Sequence, residues 1–402
     1  MDLIVAKFAG MSLGDGLRIK NAAKSVVNEY MKGNQIAVVA SAVNKTVEEL
    51  IESDLSDRQK AEIMAMGELT SARLISSAIE SLGVKSEFID PYNELWPIMT
   101  DSNLLNAEID LKSTAKKAEG IKELLNKGIV PVICGFLGKG PDGEITTLAT
   151  GGSDITAFLM GRYLKASEVI FVTDVDGVMS TDHRKLEDSE LLSEISAEEL
   201  VDLAACGVQV IHPLALAYKD SSISAKIINS KYNDLSVNGT RITGPSDENS
   251  FKSVTLYENP VSLIAVVGAG MPEKSVRLAK VTSSLAENNI NILGISAGHD
   301  SLTVFVEKAQ SNKAYHILHN VVIENNRFSS LSLGAEASMI IIAGSNFADE
   351  TQGIISDITE ELQKNSIRII EISSSQTTIL LYVDSENGKK AADLLVKFWN
   401  EF

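Results

Sequence analysis

Short, continuous apolar runs alternate with amphipathic stretches through the first 240 or so residues. Residues 2–8, 35–42, 129–135 and 169–172 are rich in Val, Ile, Leu and Ala with little alternation, the pattern of strands buried on both faces. Residues 83–90 read as a further, more polar strand. Between the strands, residues 15–31 set Ile19, Ala22, Ala23, Val26, Val27 and Tyr30 at helical spacing. Residues 47–80 also read as helical, and 106–127 form a charged helix closed by Gly128. This alternation predicts a mostly parallel open sheet sandwiched by helices, an α/β fold.

The pattern changes after a polar linker that begins at Gly244. Residues 261–268 predict a strand, 274–288 a helix, and 290–296 and 301–306 two more strands. The same order recurs at 337–344, 352–364, 367–373 and 377–383. Each copy is a β-α-β-β unit with a trailing helix, a ferredoxin-like arrangement. The expected domains are therefore residues 1–244, 252–330 and 331–402.

Composition narrows the class. A chain of 402 residues with 44% hydrophobic content can bury more than one core. A formal charge of −18 argues against nucleic acid and anionic membranes as partners. The two cysteines, Cys134 and Cys206, make no disulfide framework and no CxxC metal motif, and both fit apolar interior positions. Residues 3–6 read as a strand leading into Lys7 rather than as a leader, and no apolar run has the length of a membrane span. The expectation is a cytoplasmic protein.

Candidate chemistry concentrates between Thr146 and Arg184. Gly151 and Gly152 form a turn into a helix expected to be capped near Ser153 and Asp154. The strand at 169–172 then ends in an acidic turn, Thr173-Asp174-Val175-Asp176-Gly177. Glycine lets backbone N–H groups approach an anion, and a helix N-terminus carries partial positive charge. Acidic turns at the carboxyl ends of strands are where open α/β sheets bind ligands. The stretch predicts a phosphate-facing turn beside an acidic loop able to hold ribose or metal. By contrast, Gly138 to Gly143 matches GxGxxG formally but precedes a threonine-rich strand, so it reads as a hairpin tip. No Walker-type phosphate loop is present.

Several ordered segments resemble the aspartokinases of the amino-acid kinase superfamily. Lys7 to Ser12, KFAGMS, resembles their KFGGTS, and GGSD at 151–154 resembles GRGGSD. The segments VASAVNKT (39–46), MGEL (66–69), TDVDG (173–177), TDHR (181–184) and CGVQVIHP (206–213) have counterparts as well. The repeats resemble the family's paired ACT domains, which bind an end-product amino acid at shared edges; a pure dimerisation module is the alternative.

The resemblance implies ATP and Mg2+ as cofactors, a small amino-acid substrate and a homodimer or higher homo-oligomer. Lys7 is then the residue that stabilises the transferring phosphoryl, with Gly10 and Ser12 on the same loop. Asp154 organises the catalytic lysine and magnesium. Ser41, Thr46, Glu68, Thr150 and Ser153 fall on the substrate side, Glu68 as partner of the substrate ammonium. Thr173, Asp174, Asp176 and Arg184 fall on the nucleotide side, where an arginine fork suits phosphate. No metal ligand set is assigned.

Departures from the family pattern bear on the acceptor. The arginine of GRGGSD, which grips a carboxylate of aspartate, is Thr150; the threonine of KFGGTS is Met11, and a neighbouring glycine is Ala9. The lysine of FGAKVLHP, which reaches nucleotide phosphate, is Gln209, and the proline of TDPR is His183. Lys45 is the nearest cation in sequence to compensate. Phosphorylation of L-aspartate is the leading reading. A kinase acting on homoserine or another hydroxy amino acid is one alternative, and a weakly catalytic, amino-acid-sensing paralogue is another.

Overall fold

The structure, a computed structural model, describes residues 2–43, 55–180, 189–205, 210–244, 252–268, 275–324, 328–344, 347–375 and 377–401. They build two compact units, residues 1–251 and 252–402.

In chain order the first unit runs β1 (Leu3–Phe8), α1 (Gly16–Met31), β2 (Gln35–Ala40), α2 (Asp57–Ser81), β3 (Ser86–Ile89), α3 (Leu111–Asn126) and β4 (Val130–Cys134). It continues through β5 (Leu137–Lys139), β6 (Ile145–Thr147), α4 (Gly152–Leu164), β7 (Glu168–Thr173), β8 (Glu194–Ser196), α5 (Ala197–Ala205), α6 (Pro213–Leu216), β9 (Ser224–Asn229) and β10 (Thr240–Thr243). Eight of the strands form one sheet in the order β3-β4-β2-β1-β7-β9-β10-β8. All neighbours are parallel except β9 and β10, as the apolar runs predict. β1 lies inside the sheet, with Lys7 in register with Val39 of β2 and Phe171 of β7.

α4 is apolar nearly all round, with Ile155, Ala157, Phe158, Leu159, Met160 and Leu164 buried, which marks an internal helix. It packs against β1, α3 and α6, and the Phe158 and Phe171 rings meet with centroids 4.9 Å apart. That packing fixes the start of α4 against the end of β1.

Three local expectations need correction. The cap of α4 is not Ser153 or Asp154 but Gly151, whose φ of 84° lies in the left-handed region and which makes no side-chain cap bond. The helix expected over 106–127 starts at Leu111, because Asp110 accepts the N–H groups of Lys112 and Ser113 and so closes the N-terminus there. In the stretch read as helical over 47–80, α2 begins at Asp57 behind a capping box between Ser56 and Gln59; residues 47–54 lie outside the described residues. Gly138–Gly143 does form a hairpin tip, between the antiparallel β5 and β6.

The second unit comprises β11 (Lys252–Leu256), β12 (Val261–Val267), α7 (Ser275–Ala286), β13 (Gly294–Ala297), β14 (Ser301–Glu307) and α8 (Ser311–Glu324). β15 (Ser330–Gly344), α9 (Phe347–Lys364), β16 (Ile369–Ser374), β17 (Thr378–Asp384) and α10 (Gly388–Glu401) follow. Both repeats thus have the β-α-β-β-α order. One antiparallel sheet, β13-β14-β12-β15-β17-β16, holds them together. The long β15 pairs with β12 through its first half and with β17 through its second. β11 pairs with the end of β15 rather than with β12, its neighbour in sequence. Val254 and Leu256 accordingly pack into the core of the second repeat, with Ile340, Ile342 and Leu381.

Candidate active site

β1 ends inside the sheet, so its last residues open onto the carboxyl edge where the crossovers diverge. Lys7 extends there, and its Nζ lies 2.6 Å from Oδ1 of Asp154 in the first turn of α4. Both side chains are nearly buried, 12% and 11% exposed. The other carboxylate oxygen of Asp154 accepts the backbone N–H of His212 at 3.2 Å. The aspartate is therefore held from two sides and fixes where the ammonium points. Gly151 permits the approach: a Cβ on it would stand 2.3 Å from the His212 side chain.

Lys7 and Asp154 line a cleft of about 800 Å³ together with Gly10, Ser41, Glu68, Thr150 and Ser153. Most of the residues expected on the substrate side thus converge. Gly10 is tightly placed, because a Cβ there would meet the Ala42 carbonyl oxygen at 2.1 Å. Glu68 comes from α2 and is 6% exposed. The Ser41 hydroxyl oxygen is buried without a hydrogen-bond partner among the described residues, while its N–H donates to the Phe8 carbonyl at 3.1 Å. Met11, Met64, Leu105, Phe136 and Leu148 make much of the remaining wall apolar. Lys7 is the cation among the described lining residues, which also include the carboxylates of Glu68 and Asp154.

Of the residues expected to bind the nucleotide, Lys7 and Gly10 line that cleft, whereas Ser12, Thr173, Asp174 and Asp176 do not. The Ser12 hydroxyl donates to the Val172 carbonyl at 3.1 Å and is buried, so it ties the loop after β1 to β7. Thr173 donates to the Asp174 carboxylate at 3.2 Å, and Asn229 donates to the Asp174 carbonyl at 2.9 Å. Asp176 pairs with Lys231 at 2.7 Å. The Lys231 hydrogen bond holds the Asp176 carboxyl below its ordinary value. Ser12 and Asp174 line a second groove of about 400 Å³, with Arg18 and Lys231. Met11 lines both spaces. Thr46, Arg184, Lys45, His183 and Gln209 lie outside the described residues.

A profile of the amino acid kinase family matches residues 2–229, and an ACT domain profile matches 257–320. The aspartokinase of Helicobacter pylori strain 26695 is 31% identical over 98% of this chain and 98% of its own length. This chain belongs to the amino acid kinase family and, within it, to the aspartokinases. Aspartokinase 2 of Bacillus subtilis is 29% identical over 98% of this chain and 97% of its own. The crystal structure of aspartate kinase from Synechocystis shares the fold with a TM-score of 0.83 at 23% identity, covering 99% of this chain and 69% of that one. Aspartokinase III of E. coli, crystallised with aspartate and ADP, aligns with a TM-score of 0.53 at 22% identity, over 98% of this chain and 99% of its own.

As a member of the aspartokinases the chain is a phosphotransferase. Two cleft residues escaped the sequence reading. Phe136 and Asn106 both adopt left-handed backbone, with φ of 67° and 57°. That is uncommon for a bulky residue such as Phe136 and marks a position held by its surroundings. Phe136 follows the apolar run of β4, and Asn106 stood within a stretch read as helix. Neither residue type alone carries such a signal. The position of His212 was covered by the matched HP dipeptide, but the use of its backbone N–H was not.

Proposed function

We propose that this aspartokinase transfers the γ-phosphoryl group of ATP to the side-chain carboxylate of L-aspartate. The observation that carries the reading is the 2.6 Å contact between Lys7 and Asp154 in a cleft shared with Glu68 and the start of α4. Phosphoryl transfer asks for fixed donors around the moving oxygens and a held acceptor rather than for covalent chemistry by the protein. The Lys7 ammonium supplies a point cation to the transferring group. The N–H groups that open α4 supply backbone donors and the positive end of a helix dipole. Glu68 supplies the counter-charge for the acceptor's ammonium, and Ser41 offers an unengaged hydroxyl beside it.

Magnesium fits this donor set as an ion carried by the triphosphate. Among the described residues no three potential metal-ligating side chains cluster, and Mg2+ is commonly held by one or two carboxylates together with phosphates and water. Asp154 is the carboxylate in place to receive it, and the ion would neutralise charge on the phosphates. The second unit, with its ACT repeat, fits a regulatory amino-acid site and a homo-oligomer; E. coli aspartokinase III has been crystallised with lysine and aspartate. No helix among the described residues is long and apolar enough to cross a membrane, which accords with action in the cytoplasm.

A second acceptor deserves a direct test, because Thr150 stands where a guanidinium is expected and the described cleft offers Lys7 as its cation. ADP release should be followed with aspartate, homoserine, serine and threonine in turn. Turnover with aspartate above the others supports the proposal. Turnover with homoserine but not aspartate would replace the acceptor while keeping the mechanism.

A further inference from the structure

Asn106 lines the cleft from the loop ahead of α3. That loop is firmly seated. The Ala107 N–H donates to the Thr147 carbonyl at 2.9 Å, and the Thr147 N–H donates to the Leu104 carbonyl at 3.0 Å. The Asp101 carboxylate accepts the N–H groups of Asn103 and Glu108, and Asn103 accepts that of Leu105. These bonds bracket Asn106 and hold it in left-handed backbone, at φ 57°. They also dock it on the end of β6, three residues before Thr150 in the chain. Asn106 is exposed where it lines the cleft, and its side-chain amide makes no hydrogen bond within the described residues.

We propose that Asn106 is a specificity-determining residue: its amide donates to the acceptor carboxylate that Thr150, lacking a guanidinium, cannot grip alone. The inference rests on the proposed amino-acid acceptor and names how its carboxylate is read. The charge balance of the cleft favours this role. Lys7 is bound to Asp154 and directed to the phosphoryl group, and Glu68 repels a carboxylate while attracting an ammonium. The acceptor's carboxylate therefore belongs where Asn106 and Thr150 line the cleft with neutral donors. A neutral donor pair discriminates in a way a guanidinium does not. It binds a carboxylate more weakly, but carries no charge that must be stripped of water when the acceptor binds. The fixed backbone leaves only the Asn106 side-chain rotamers to be ordered on binding.

Two substitutions preserve the left-handed backbone, since Asp and Gly both adopt it readily. Asn106→Gly removes the amide; Asn106→Asp replaces it with a like charge against the acceptor carboxylate. The test is calorimetric titration of the full chain with L-aspartate, paired with steady-state KM values for aspartate and for ATP. Asn106→Asp should weaken aspartate binding by about tenfold or more and Asn106→Gly by several-fold, with the KM for ATP unmoved. Unchanged aspartate affinity in both variants would overturn the inference. So would tighter binding by Asn106→Asp, which would put the ammonium at this wall, or a wild-type chain that does not bind aspartate. Binding that the variants weaken in a wild type without turnover would sink the proposed reaction and leave this inference standing.

Discussion

Lys7 and Asp154 meet at 2.6 Å although one side chain leaves a strand and the other a helix on the far side of several crossovers. The contact exists because β1 lies inside the sheet and α4 packs along it. Its consequence is a fixed ammonium in the wall of the cleft. Lys7→Ala should therefore lower kcat by about two to three orders of magnitude. Circular dichroism and the oligomeric state should be unchanged; full turnover by this variant would remove the assignment.

Asp154→Asn tests the positioning half of the pair. The amide keeps an oxygen for the His212 N–H but gives up the charge that holds Lys7. Activity should fall by about a hundredfold or more. The variant is measured at saturating ATP and Mg2+, so that a mere loss of nucleotide affinity is distinguished from a loss of kcat.

Gly151→Ala strains the same corner through the backbone. At φ 84° an alanine is disfavoured, and its Cβ would fall 2.3 Å from His212. The expected destabilisation is about 2 kcal/mol, read as a lower urea midpoint, with activity lost beyond what the unfolded fraction explains.

Thr150→Arg restores a guanidinium to the wall beside Asn106. If the acceptor carboxylate is read there, the KM for aspartate should drop by about tenfold, the worth of a charge-assisted hydrogen bond over a neutral one. A higher KM would place the carboxylate elsewhere.

The Lys231–Asp176 pair gives a pH-dependent prediction. The carboxyl of Asp176 is depressed in the folded chain by Lys231. Its contribution is thus present above the ordinary aspartate range, near pH 4, and is lost as pH falls through the lowered folded value. The pair is substantially exposed, 54% and 38%, so the effect is small and salt-sensitive. Lys231→Met should unfold at a slightly lower urea concentration than the parent at pH 7, and the two midpoints should converge as pH falls through the lowered Asp176 titration.

How much of this could be read from residue order differs by element. The buried strands announce themselves because a two-sided interior demands unbroken apolar runs, and β1, β2, β4 and β7 all carry them. The glycine pair that opens α4 was equally legible, since the left-handed turn at Gly151 leaves few other residue types available. Asn106 was not, because Leu104, Leu105, Ala107 and Ile109 imitate a helical face until Asp110 takes the cap. Phe136 was hidden for the converse reason: its backbone is set by contacts from β6 and α4, such as the Leu148 N–H donating to its carbonyl at 2.8 Å. The division of site residues between two spaces was also beyond reach, because it depends on the Ser12 hydroxyl turning to the Val172 carbonyl.

The crossing of β11 to the edge of β15 means that the two repeats are threaded rather than strung. The second repeat takes a strand from upstream of the first, so the first is an insertion within it. Severing the polypeptide between them would strip β15 of that border strand and bare a row of backbone donors and acceptors, an invitation to aggregate. The two repeats therefore have to be kept together when the second unit is excised or exchanged, and the seam that keeps β11 with them lies ahead of Lys252.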